Sequence, residues 1–147
     1  MLNIKLKSGI DKLLFGMKEK DVRALYGEPD KTYKDEDKNI IWLYNAQMLR
    51  LTFYADEDFR LGYIIASHPE LELFGQKVIG QDWKTAEKIA GDNKIKAFEK
   101  ESFDTVDNYF NETNWVIFQV EFGRVVKVEL GAIINVKDDE FDWKFKA

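Results

Sequence analysis

The sequence predicts an α+β protein: two tandem helix-plus-antiparallel-β-meander units packed as one body, with the helices on one face of the sheet. Three observations point there. Two short helix signals lie 64 residues apart, glycines bracket both at the same spacing, and each is followed by strand-like runs separated by turn residues. On this reading residues 1–73 are the first repeat, 74–135 the second, and 136–147 a C-terminal edge strand or tail.

The N-terminal residues 1–7 alternate apolar and polar side chains, the period of a strand, and lack the apolar stretch of about 7 residues that a signal peptide needs. The first helix signal, over residues 18–26, places Val22, Leu25 and Tyr26 on one face and stops at Gly27-Glu28-Pro29, a glycine stop reinforced by proline. The second, over 83–90, places Ala86, Ile89 and Ala90 on one face and stops at Gly91. At the 64-residue offset Ile10 falls on Phe74, Leu14 on Val78, Gly16 on Gly80, Leu25 on Ile89 and Gly27 on Gly91. Asp82 is placed to cap the second helix, whereas Lys18 holds the matching position in the first and cannot accept the orphan amides.

After the first helix the strand-like runs are 32–34, 40–44, 48–54 and 61–66; after the second they are 97–100, a run around Tyr109 and Phe110, 115–122 and 125–130. Within these, Leu49, Leu51 and Phe53 alternate with Arg50, Thr52 and Tyr54, and Val116, Phe118 and Val120 alternate with Ile117, Gln119 and Glu121. A sheet with one buried and one open face follows. No Pro-, Gly- or Ser-rich linker separates the repeats. At the C-terminus Phe141, Trp143 and Phe145 alternate with Asp142, Lys144 and Lys146, as in an edge strand guarded by charges.

Composition removes several function classes. A chain of 147 residues without cysteine has no disulfide framework, thiolate metal site or cysteine nucleophile, and agrees with a reducing, cytoplasmic location. Charged residues, 33% of the chain and scattered along it, leave no window near the ~20 apolar residues of a membrane span. With a net charge of −5 and lysines interleaved among acids, no basic stripe exists for a nucleic-acid backbone, while a basic protein partner is favoured. His68, the only histidine, has no second ligand or nucleophile to serve and reads as a turn residue. The acidic runs 35–37, 56–58 and 138–140 lack a calcium-loop pattern, and no phosphate-binding glycine motif occurs. No cofactor or metal is expected, and no enzyme activity.

The run Gly16-Met17-Lys18-Glu19-Lys20-Asp21-Val22-Arg23-Ala24-Leu25-Tyr26-Gly27-Glu28-Pro29-Asp30, followed by Trp42-Leu43-Tyr44, resembles the SmpA/OmlA-like and β-lactamase-inhibitory-protein-like (BLIP-like) group. There the pattern Gly-Met-(Ser/Thr)-x-x-(Asp/Glu)-Val-x-x-Leu-x-Gly-x-Pro opens a unit of helices on an antiparallel sheet. Two departures are Lys18 in place of the capping Ser or Thr, and Gly91-Asp92-Asn93 without the proline. The resemblance implies a bacterial protein-binding inhibitor whose two sheets grip another protein, including a cytoplasmic immunity protein that neutralises a basic toxin domain. An assembly or scaffold factor of the SmpA/OmlA type, or an enzyme with dispersed carboxylates, are the alternatives.

Strand periodicity supplies the candidate surface. Arg50, Tyr54, Tyr63, Trp115, Gln119 and Glu121 fall on the polar phase of the strands and are expected together on the open face, where Tyr, Trp and Arg suit a binding hot spot. Trp42 and Tyr44 join them as candidates; their neighbours Ile41 and Leu43 are equally apolar, so the alternation leaves open which pair faces inward.

Overall fold

The computed structural model describes residues 2–146. In chain order the elements are β1 (Leu2–Lys5), β2 (Gly9–Ile10), β3 (Leu13–Leu14), α1 (Glu19–Tyr26), β4 (Lys31–Lys34), β5 (Ile40–Tyr44), β6 (Leu49–Tyr54), β7 (Arg60–Ala66), β8 (Leu71–Leu73) and β9 (Gln76–Lys77). There follow α2 (Trp83–Asp92), β10 (Glu99–Phe103), β11 (Val106–Asn111), β12 (Val116–Glu121), β13 (Arg124–Gly131), β14 (Ile134–Asn135) and β15 (Glu140–Phe141).

Eight strands form one antiparallel sheet in the order β10-β11-β12-β13-β7-β6-β5-β4. The two halves of the chain meet at its centre, where β13 pairs with β7 and sets Val128 opposite Ala66, Glu129 opposite Ile65 and Leu130 opposite Ile64. Ile64 and Val128 are 64 residues apart, as are Ala66 and Leu130, so this seam is symmetric about the Ile65–Glu129 pair. A bulge recurs at the same offset: Gly62 lies unpaired between Leu61 and Tyr63, and Val126 between Val125 and Lys127. A five-stranded sheet, β3-β2-β1-β8-β9, joins the two halves a second time through the parallel pair β1–β8.

Alternation along the central strands decides the faces. Leu49, Leu51 and Phe53, with Val116, Phe118 and Val120, are buried, while Arg50 is exposed and Thr52, Tyr54, Ile117, Gln119 and Glu121 are half-buried on the other side. The inner face meets Leu2, Ile4, Ile10, Leu13, Leu71 and Leu73 of the small sheet and Val22, Ala86, Ile89 and Ala90 of the helices in one continuous core. Both halves therefore share a single interior.

This architecture corrects the predicted α+β class. Strands hold 45% of the residues and helices 14%, so the protein is mostly β: two sheets face each other, and the only α-helices among the described residues, of 8 and 10 residues, fill the remaining flank. The reason is covering area. A helix with one buried residue, Val22, cannot by itself cover four strands, and the chain before each helix supplies hairpins instead. The C-terminal segment lines neither edge of the large sheet. β14 and β15 make their own hairpin, and the amides of Lys144 and Phe145 donate to Phe15 O at 3.1 and 3.0 Å.

Helix starts differ as their residues require. Asp82 accepts from the Thr85 amide at 2.9 Å, and that hydrogen bond holds its carboxyl below the usual carboxylate range. At α1 the chain uses the reciprocal half of a capping box: Asp21 accepts from the Lys18 amide at 3.0 Å.

Candidate functional site

With the inner face buried, the outer face of the large sheet is where function can be placed, and glycines shape it. Gly62 and Gly131 leave gaps in β7 and β13 that aromatic rings fill. A Cβ on Gly62 would come within 2.1 Å of the Tyr54 ring, and one on Gly131 within 2.7 Å of the Trp115 indole. Each ring covers backbone that would otherwise be wet.

Trp115 reaches Gly131 from a turn, not from a strand. Its φ is 47°, its amide donates to Glu112 O at 3.1 Å, and its carbonyl accepts from the Gly131 amide at 3.0 Å. Tyr63, paired with Gly131, meets the indole edge-on with centroids 5.3 Å apart, and Phe110 meets it from the other side at 5.0 Å. The Tyr63 hydroxyl donates to Glu129 Oε1. Burial first, then this hydrogen bond to a carboxylate, pushes the Tyr63 hydroxyl pKa far above the ordinary tyrosine value, and burial raises that of Tyr54.

The C-terminal segment closes one side. Phe141 lies 5.8 Å from the Tyr54 ring and stacks on Trp143 at 4.7 Å. Between these groups runs a groove of about 860 Å³ lined by Tyr54, Tyr63, Trp115, Phe141, Ile134 and Val136, with Lys7 and Glu112 also on its wall. Two of its apolar side chains are open to solvent, Ile134 at 48% and Val136 at 96% exposure.

Of the candidates from strand periodicity, Tyr54, Tyr63 and Trp115 thus come together. Arg50 lies apart, in a shallower depression with Leu43, Ile65 and Lys127. Gln119 sits between Asn108 and Lys127, and Glu121 accepts from Thr105 Oγ1 at 2.9 Å, so both extend the face outside the groove. Trp42 and Tyr44 do not belong to it. They face the core, opposite Leu51 and Leu49 and 1% and 3% exposed. The Tyr44 hydroxyl donates to Gly27 O at 2.7 Å, and its pKa is pushed up to about 12 by burial, with Glu28 adding.

Phe141, Ile134 and Val136 were missed by strand reasoning. Periodicity along 141–145 marks alternating aromatics but cannot say that they fold back over another strand's outer face. Nor does the alternation reveal that Tyr54 and Trp115 are half-buried on glycines rather than free. Among the described residues no group of three or more His, Asp or Glu is placed to hold a metal ion, and no helix is long and apolar enough to cross a membrane.

No family model matches the chain, and no curated protein matches it. Among solved structures it is similar to an extracellular protein containing a SCP domain from Bacillus anthracis, with a TM-score of 0.52 and 10% identity over 98% of this chain and 56% of that one. It is also similar to a cysteine-rich secretory protein from Staphylococcus aureus, with a TM-score of 0.49 and 14% identity over 86% of this chain and 48% of that one. The chain spans about half the length of each.

These likenesses correct two expectations. The SmpA/OmlA-like and BLIP-like resemblance does not stand, because the fold is shared with the Bacillus anthracis protein that contains a SCP domain. The motif that carried it specifies a helix start, a buried face and a glycine stop, which many tertiary arrangements accept. The cytoplasmic expectation is likewise corrected, the Bacillus neighbour being described as an extracellular protein. A lack of cysteine excludes disulfides, but it does not require a reducing compartment.

Proposed function

We propose that this chain is a protein-binding module and that the groove between Tyr54, Tyr63, Trp115 and Phe141 is where the partner is held. The observation that carries the reading is the convergence of four aromatic rings on one open sheet face, with Ile134 and Val136 left exposed beside them. Tyrosine and tryptophan give large contact area for little entropy loss, and apolar side chains open to water at a groove rim gain from being covered. The net charge of −5 favours a partner of neutral or basic character. Inhibition of that partner, including neutralisation of a toxin, is one form such binding can take. A setting outside the cytoplasm suits the printed description of the Bacillus neighbour as an extracellular protein.

The test is comparative capture. Wild-type chain and an Ile134→Asp, Val136→Asp variant, immobilised side by side, are exposed to secreted and cytosolic fractions of the native host, and bound proteins are quantified. A species held by the wild type and lost by the variant, at unchanged melting temperature, supports the groove. Equal capture by both would place binding elsewhere.

A further inference from the structure

Gly16 and Gly80 occupy equivalent places in the two halves, and the bonds around them match one for one. The Gly16 amide donates to Leu61 O at 2.9 Å and the Gly80 amide to Val125 O at 2.8 Å. Leu61 N reaches Met17 O at 2.7 Å, and Val125 N reaches Gln81 O at 2.9 Å. Arg60 Nη1 donates to Gly16 O at 2.9 Å, and Arg124 Nη1 to Gly80 O at 2.8 Å. Both glycines have positive φ, 107° and 88°, so each half presents the same small backbone shelf.

The first shelf is filled by the chain's own tail. Lys144 N and Phe145 N both donate to Phe15 O, and a Cβ on Gly16 would come within 2.5 Å of Phe145 O and 3.0 Å of Trp143 Cβ. The second shelf is empty. Nothing lies within 4 Å of a Cβ built on Gly80, and among the described residues no hydrogen bond reaches Ile79 O, the counterpart of Phe15 O. Beside it the sequence has changed in a telling direction. Asp58, which pairs with Lys18 in the first half, is matched 64 residues on by Phe122. Phe122 is 83% exposed and held at a φ of 50°, on a loop tied to the shelf by Trp83 N donating to Gly123 O at 2.9 Å. A large aromatic held out in water gains from being covered.

We propose that Ile79, Gly80 and Phe122 form a docking shelf for an extended segment of a partner protein bearing aromatic side chains on alternate residues. Trp143-Lys144-Phe145 shows the chemistry on the first shelf: two amides on one carbonyl, close approach permitted by glycine, and aromatic cover. The occupant is a partner rather than a second copy of this chain, because each copy's tail is already held by its own first shelf. The shelf is separate from the aromatic groove and does not depend on it.

The experiment uses the full chain, ¹⁵N-labelled, and a blocked peptide of sequence Asp-Asp-Glu-Phe-Asp-Trp-Lys-Phe-Lys-Ala as probe. The expected result is saturable binding that shifts the Gly80 and Gly123 amides, is weakened at least about tenfold by Phe122→Asp, and persists in Trp115→Ala. A peptide with both aromatics at Trp143 and Phe145 replaced by alanine should bind at least about tenfold more weakly. Absence of saturable binding at millimolar peptide, shifts confined to Phe15 and Gly16, or an affinity unchanged by Phe122→Asp would each overturn the proposal.

Discussion

The two halves of this protein share a backbone scaffold but finish their surfaces differently. In the first half part of the outer surface is covered: Tyr54 lies on Gly62, Phe141 lies on Tyr54, and the tail hydrogen-bonds beside Gly16. In the second, Trp115 covers Gly131 but leaves a groove beside it, Gly80 is uncovered and Phe122 projects into solvent. A repeated fold need not repeat its exposed chemistry. The inner face must satisfy one core and is constrained in both copies, whereas the outer face can diverge without a packing penalty.

If the halves share one interior, core truncation should not respect the boundary between them. Trp42→Ala and Phe118→Ala should each cost about 3–5 kcal/mol, read from urea unfolding, and each should leave a single cooperative transition. Two separable transitions would mean the halves fold independently, and the continuous core would lose its meaning.

A somewhat smaller effect is expected from ending the chain after residue 139. Losing the tail re-exposes the ring of Tyr54 and the Phe15 carbonyl and should cost on the order of 2–3 kcal/mol, the amount tied to one or two buried large side chains. The loss should fall on the first half, with hydrogen exchange accelerating at Gly16 and not at Gly80. Equal acceleration at both would erase the contrast between the filled and the empty shelf.

At the seam between the halves, Tyr63 responds to pH. Its folded-state pKa is raised, so the native protein holds the proton more tightly than the unfolded chain; that stability is present below about pH 10 and is lost as pH rises beyond it. Alkaline unfolding of Tyr63→Phe should therefore be shallower than that of the wild type above about pH 10. An unchanged alkaline limb would show that the Tyr63–Glu129 contact adds nothing to the seam.

The smallest difference lies at the helix starts. Asp82→Ala should lower the melting temperature more than Lys18→Ala, since only Asp82 caps with its own side chain. With its carboxyl pKa depressed, the benefit is present above about pH 4 and disappears as pH falls through the lowered value. A Lys18 variant as damaging as the Asp82 variant would make the two starts equivalent.

What the amino-acid order determined by itself is local. A glycine stop placed the end of the first helix, whereas the second runs through Gly91 to Asp92; period-2 alternation assigned Leu49, Leu51 and Phe53 to the core and Arg50 to the solvent, and the 64-residue echo of Gly16 in Gly80 is written in the chain. These follow from backbone sterics and side-chain periodicity, which need no distant neighbour. Everything that depends on which segments meet was settled by the packing of the whole chain. Trp42 and Tyr44 turn inward because β6 sets Leu51 and Leu49 opposite them. The short hairpins before the helices become a second sheet because β1 pairs with β8 across 69 residues of chain. Phe141, Ile134 and Val136 enter the groove because the tail folds back over the first half. Pairing and covering are set by the free energy of the whole core, and periodicity within a strand carries no information about its partner.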